Sequence, residues 1–129
     1  MEFTQIKETC LYVTDLDQTE AFYHGMLNMP IISKVADRHI FFRTGTSVLL
    51  CFIAESTRQE EVLPPHYASG KQHIAFEVPE KEYSKFKELI MEKGILITHE
   101  QEWKAQVKSF YFEDPDGHVL EIVPEGMWD

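Results

Sequence analysis

The sequence predicts an α+β fold built from two copies of one strand–helix–strand–strand–strand unit. Three observations carry that prediction. An alternating run, Glu8-Thr9-Cys10-Leu11-Tyr12-Val13, has a counterpart in His73-Ile74-Ala75-Phe76-Glu77-Val78. Each run passes into a segment with apolar residues at helical spacing, and each copy closes on a matching strand, residues 42–52 and 112–122. Between the copies, residues 55–71 turn polar and charged and then hold Pro64-Pro65 and Ser69-Gly70, the composition of a linker.

Taken in order, residues 6–13 alternate as a strand should, with Glu8, Cys10 and Tyr12 on one face. Thr14 or Asp15 then caps a helix that carries Leu16, Ala21, Phe22, Met26 and Leu27 on one side. Residues 30–35, 38–43 and 47–53 read as three strands, the last two joined by a turn at Thr44-Gly45-Thr46. In the second copy a strand over 72–78 precedes a helix from about Glu80 to Lys93, which Gly94 ends. Tyr83, Phe86, Leu89 and Ile90 give that helix its apolar stripe. Strands follow near 95–99, 107–113 and 118–123, with Asp114-Pro115-Asp116-Gly117 as the turn between the last two. The module bounds are about 4–54 and 72–124 within one domain over 1–129, and Trp103 falls in a polar loop.

A chain of 129 residues suits one domain, or two small modules sharing a core. Its net charge of −10 argues against nucleic acid as a partner, because a phosphate backbone calls for a basic surface. The same charge is compatible with a cationic ligand, or simply with solubility. No apolar stretch reaches the length of a membrane span, and the N-terminus lacks the basic start and apolar core of a signal peptide. With Cys10 and Cys51 as the sole cysteines there is no disulfide framework, so the expected compartment is cytoplasmic.

Glu121 stands inside Val119-Leu120-Glu121-Ile122-Val123. A carboxylate in such a run must be paired, hydrogen-bonded or metal-bound unless its face meets water. His73 and Glu8 say little alone, but the repeat sets them at corresponding points of the two copies, and an ungapped pairing puts Cys51 opposite Glu121. One imidazole with two carboxylates suits Mn, Fe, Ni or Zn, whereas Mg prefers oxygen throughout.

These segments carry a resemblance: Cys10 to Leu16 followed by Ala21-Phe22-Tyr23, then His73 to Val78, then Phe112 to Ile122 with its Asp-Pro-Asp-Gly-His core. Together they resemble the vicinal oxygen chelate superfamily of glyoxalases, bleomycin- and fosfomycin-resistance proteins and extradiol dioxygenases. The resemblance implies two βαβββ modules whose paired, curved mixed sheets enclose a cleft with a divalent metal ion, usually in a homodimer. The family's ligand positions fall on Glu8, His73 and Glu121, with Cys51 at a fourth. The first-strand ligand is commonly His or Gln and the fourth is Glu in glyoxalase I-like members. The implied set is therefore three ligands, Glu8, His73 and Glu121, with Cys51 a small buried hydrophobe and Glu121 also catalytic. The implied function is a metal-dependent enzyme that chelates two oxygens of a small-molecule substrate, for lyase, isomerase, transferase or dioxygenase chemistry. The alternative is a metal-free binding protein of the bleomycin-resistance type, which the acidity favours. Arg43, Lys104, Tyr12, Tyr111 and His66 are candidates for substrate contact. His118 is expected outside the cleft, and Trp128 is a candidate for packing against a partner subunit.

Overall fold

Strand alternation decides which side of each sheet is buried, and the two sheets use it in the same way. The computed structural model describes residues 1–129 and divides into two units, Met1–Gly70 and Lys71–Asp129. In the first unit, β1 (Glu8–Val13), β2 (Ile31–Val35), β3 (His39–Thr44) and β4 (Ser47–Ile53) form a sheet in the order β1-β4-β3-β2. β1 runs parallel to β4, and the other neighbours are antiparallel. The register makes Leu11, Cys51 and Ile40 one row and Leu49 and Phe42 part of another, all on one face and all buried. Against this face lies the helical segment that links β1 to β2. The Tyr23 ring sits 5.5 Å from Phe42, and burying an aromatic of this size contributes about 1.5–3 kcal/mol.

That segment begins as α1 (Leu16–Glu20) and continues as a π-helical turn over Ala21–Met26. Asp15 is its N-cap. The Asp15 carboxylate accepts the Gln18 N–H at 3.0 Å, and its carbonyl accepts the Thr19 hydroxyl at 2.8 Å. β3 and β4 are joined through a two-residue turn in which Gly45 adopts a φ of +56°, a conformation that glycine enters without strain.

The stretch read as a linker is partly structured and folds onto the first sheet. Ala54–Thr57 form a short helix, α2. The buried Thr57 hydroxyl donates to the His66 carbonyl at 2.6 Å, and the Thr57 carbonyl accepts the His66 N–H at 3.1 Å. The His66 ring then packs 5.4 Å from Phe52, while Arg38 pairs with Glu60 and lies over the same phenyl ring. Composition reads such a segment as connector because it is polar throughout, while its ordering comes from the buried Thr57 hydroxyl and from backbone groups of Thr57 and His66, whose pairing composition does not show.

The second unit repeats the plan. β5 (His73–Val78), β6 (His99–Lys104), β7 (Val107–Glu113) and β8 (Val119–Pro124) form a sheet in the order β5-β8-β7-β6, with β5 parallel to β8. A 3₁₀ turn at Glu80–Glu82 leads into α3 (Tyr83–Glu92), and Gly94 terminates the helix with a φ of +78°. α3 covers the face of Phe110 and Ile122, its Tyr83 ring lying 5.4 Å from Phe110. The Tyr83 hydroxyl and the Lys87 ammonium both donate to the Glu100 carboxylate, each at 2.9 Å. Burial first, and then the Glu100 carboxylate, push the Tyr83 phenol far above its ordinary range.

One predicted strand is displaced. The β-branched run at 95–99 forms an extended connection, and β6 begins at His99. What selects His99–Lys104 is pairing with β7: His99 aligns with Tyr111, and the tight turn ahead of Val107 places Gln106 at a φ of +65°. β6 is an edge strand, so polar residues serve there at no cost of burial. Trp103 accordingly lies on β6 and not in a loop, its indole N–H donating to the Ser109 hydroxyl at 2.9 Å. No helix is long and apolar enough to cross a membrane.

Candidate metal centre

β8 is an inner strand of the second sheet, and its alternation puts Leu120 and Ile122 under α3 and Glu121 on the opposite, open face. The row through Glu121 reads Ala75, Glu121, Tyr111, His99 from β5 to β6. Two residues before Ala75, His73 stands on the same face, and its Nε2 lies 3.3 Å from Glu121 Oε1. Glu121 is only 6% exposed, and its other oxygen, Oε2, is buried with no hydrogen-bond partner.

The histidine's orientation is set from the far side of its ring. His73 Nδ1 is 2.7 Å from the Val119 carbonyl. A carbonyl oxygen only accepts, so Nδ1 carries a proton and Nε2 is the nitrogen that faces the carboxylate. Two acceptors facing each other at 3.3 Å repel unless positive charge joins them, either a second proton on the ring or a cation held by both groups. Together with the orphaned Oε2, this arrangement fits a divalent metal ion bound through imidazole nitrogen and carboxylate oxygen. The neighbouring Tyr111 has its phenol raised first by burial, lowered by the Ser109 hydroxyl, and raised again by the Glu121 charge and by a hydrogen bond to that carboxylate.

Glu8 occupies in the first sheet the place that His73 occupies in the second. Each opens its strand on the open face, each aligns with a valine of the parallel neighbour (Val48 or Val119), and each lies beside the same backbone bridge. That bridge is Val48 N–H to the Lys7 carbonyl in one unit and Val119 N–H to the Gln72 carbonyl in the other, both 2.8 Å. Glu8 is exposed. On the same face, burial raises the half-buried Cys10 thiol above its usual range, Glu8's charge adds to this, and the Tyr12 hydroxyl partly offsets it. His73 and Glu121 are thus brought together within the second unit, while Glu8 belongs to the first. Neither unit by itself gathers three His, Cys, Asp or Glu side chains spaced for a metal ion.

The same register corrects the position of Cys51. Counting two residues on from the aligned valines reaches Leu50 in β4 and Glu121 in β8, so Leu50 and not Cys51 is the counterpart of Glu121. Cys51 lies on the helix-facing side, fully buried beside Leu11 and Ile40. Cys10 aligns with Leu50, which leaves the two cysteines on opposite faces of the sheet.

The remaining candidates scatter. Arg43 is exposed on β3, in the same row as Val48 and Glu8. Lys104 reaches the Asp129 carbonyl at 3.3 Å, and Tyr12 stacks with Phe52. His66 places its Nδ1 2.6 Å from the Pro64 carbonyl. Trp128 is largely exposed and His118 is buried. The Val119 carbonyl that orients His73 went unforeseen, since a backbone group leaves no trace in residue type.

Residues 5–122 match the family model "Glyoxalase/Bleomycin resistance protein/Dioxygenase superfamily". Glutathione transferase FosA of Serratia marcescens is 30% identical over 117 residues, covering 87% of this chain and 74% of the relative. Metallothiol transferase FosB of Shouchella clausii is 27% identical over 113 residues, covering 85% and 73%. The crystal structure of lactoylglutathione lyase from Agrobacterium tumefaciens matches with a TM-score of 0.94 at 29% identity, covering 99% of this chain and 98% of that one. The paired-sheet fold, the matched residues and the relatives agree: this chain belongs to the glyoxalase/bleomycin resistance protein/dioxygenase superfamily.

Proposed function

We propose that the protein is a divalent-metal-dependent enzyme that binds two oxygens of a small-molecule substrate, with Glu8, His73 and Glu121 as its metal ligands. One observation carries this reading: the buried, unpartnered Oε2 of Glu121, on a carboxylate whose Oε1 lies 3.3 Å from His73 Nε2. A lone buried carboxylate is costly to keep, and an apolar side chain fits its strand better. Glu8 enters on its equivalence to His73 in register. The names of the relatives, two of them transferases and one a lyase, favour group transfer or lyase chemistry over a metal-free binding role. A homodimer acting in the cytoplasm completes the reading.

When bound, the metal ion supplies Lewis acidity to the substrate oxygens. The chain's own residues do the rest. Val119 holds His73 in one tautomer, so its Nε2 is presented without reorganisation. We assign Glu121 the catalytic role as well, since a carboxylate can accept a proton from bound substrate. The identity of the metal is left to measurement among Mn, Fe, Ni and Zn.

The test is metal content after purification without chelator, compared between parent and Glu121→Ala. Near-stoichiometric metal in the parent and little in the variant is the expected result. Equal metal in both refutes the ligand assignment. A parent that holds no metal, yet binds a cationic glycopeptide with chelator present, replaces the enzyme by a binding protein.

A further inference from the structure

The turn that precedes β8 reaches across to the strand that carries His73. Asp114, almost fully buried, accepts the Asp116 and His118 N–H groups on Oδ1, both at 2.9 Å. Its carbonyl accepts the Gly117 N–H at 2.9 Å, and its own N–H donates to the His118 carbonyl at 3.1 Å. This closed knot fixes the backbone of His118, whose ring is 2% exposed. The Gln72 N–H donates to His118 Nδ1 at 3.0 Å, and the Gln72 carbonyl accepts the N–H of the next residue, Val119, at 2.8 Å.

Both backbone hydrogen-bonding groups of Gln72, the residue just before His73, are therefore held by the consecutive pair His118 and Val119. Val119 also supplies the carbonyl that His73 Nδ1 donates to. A backbone N–H only donates, so His118 Nδ1 is unprotonated and the ring is neutral there. In the first unit Ser47 stands at the place of His118, and its hydroxyl donates to the Ile6 carbonyl at 3.1 Å. Each unit braces the entry to its first strand from this point, but only the second does so with an imidazole.

We infer that His118, locked by Asp114, is a positioning residue for His73: it fixes the Gln72 peptide and so the rotamer and tautomer in which His73 faces Glu121. The inference rests on the reading of His73 as a ligand for its purpose, though not for its geometry. Removing the acceptor at His118 frees the Gln72 N–H, lets β5 shift at its first residue, and loosens the His73 Nδ1 contact with Val119. Losing an outer partner of a metal-binding histidine lowers affinity about 10- to 100-fold.

The test compares parent, His118→Leu, which deletes the acceptor, and His118→Asn, which keeps one. In chelator-treated protein, nitrogen-resolved NMR of the imidazoles reads the His73 tautomer without any metal. Competition against a chelator then reads the affinity for Mn(II). The expected pattern is a single Nδ1–H tautomer in the parent, averaging in H118L with about 10- to 100-fold weaker Mn(II) binding, and recovery of both in H118N. An unchanged tautomer in folded H118L overturns the inference whatever the metal does. If the parent binds no Mn(II) but the tautomers follow this order, the ligand reading falls and the positioning role stands. Should circular dichroism show H118L unfolded, H118Q, whose acceptor is displaced by one methylene, takes its place. A parent-like H118Q tautomer then overturns the inference.

Discussion

Replacing Glu121 by methionine is expected to stabilise the metal-free protein while abolishing its metal response. Glu121 Oε2 is buried with no partner, and an unsatisfied buried polar atom costs about 1–3 kcal/mol. Against this stands the contact with His73, whose ring is half exposed, and such pairs contribute about 0–1 kcal/mol. Methionine fills similar volume between Ala75 and Tyr111, its cross-strand neighbours, without a charge. The balance favours E121M by about 0–3 kcal/mol, which for a chain of this length raises Tm by up to roughly 12 °C. Thermal unfolding in EDTA at pH 8, followed by near-ultraviolet circular dichroism, reads the difference directly. Adding a divalent metal at about 100 times its Kd reverses the order, since the parent then gains about 2.7 kcal/mol and E121M gains nothing. A metal-free E121M that melts below the parent refutes the reasoning. It would mean that the carboxylate is satisfied in the folded chain, and the main support for the metal centre would go with it.

Three further outcomes follow from groups away from that carboxylate. Asp15→Ala removes the cap of α1 and should cost about 1 kcal/mol in urea unfolding, with Asp15→Asn nearly neutral. His39 has its pKa lowered, first by burial and then by the Arg38 charge, from an ordinary value of 6.5. The unfolded chain therefore takes up the proton more readily, so this stabilisation is complete above pH 6.5 and is lost as pH falls through the lower folded value. His39→Gln should flatten the dependence of unfolding free energy on pH between about 5 and 6.5, and equal slopes in parent and variant contradict the assignment. Finally, Glu8→Gln in chelator-treated protein removes a charge that raises the Cys10 pKa. The reaction of Cys10 with an aromatic disulfide at pH 7.5 should speed up about two- to fivefold, Cys51 being too buried to contribute.

The fold was legible in this sequence where one face of a strand packs on a helix, because burial on one side imposes the two-residue period. β1 and β5 carry that pattern, and the caps and turns at Asp15, Gly45, Gly94 and Asp114 carry their own chemistry. β6 was not legible: an edge strand of His99-Glu100-Gln101-Glu102-Trp103-Lys104 is chosen by pairing with β7, while the more apolar residues just before it pair little. In the candidate site, His73 and Glu121 do come together, and one register was misread. An ungapped repeat sets Cys51 against Glu121, but the second hairpin has the longer turn, Asp114 to His118 against Gly45 and Thr46, so equal spacing does not hold through it. A one-residue slip in a strand exchanges the two faces, which is why it moves Cys51 from the open face into the core.

The paired bonds between Thr57 and His66 have a practical consequence. They clamp the two ends of the intervening chain, so residues 58–65 form a closed bight whose tip, Val62, is almost fully exposed. Lengthening a loop whose ends are already joined costs little, about 0.6 kcal/mol for each doubling. An epitope or a fluorophore-bearing peptide spliced beside Val62 should leave both sheets undisturbed.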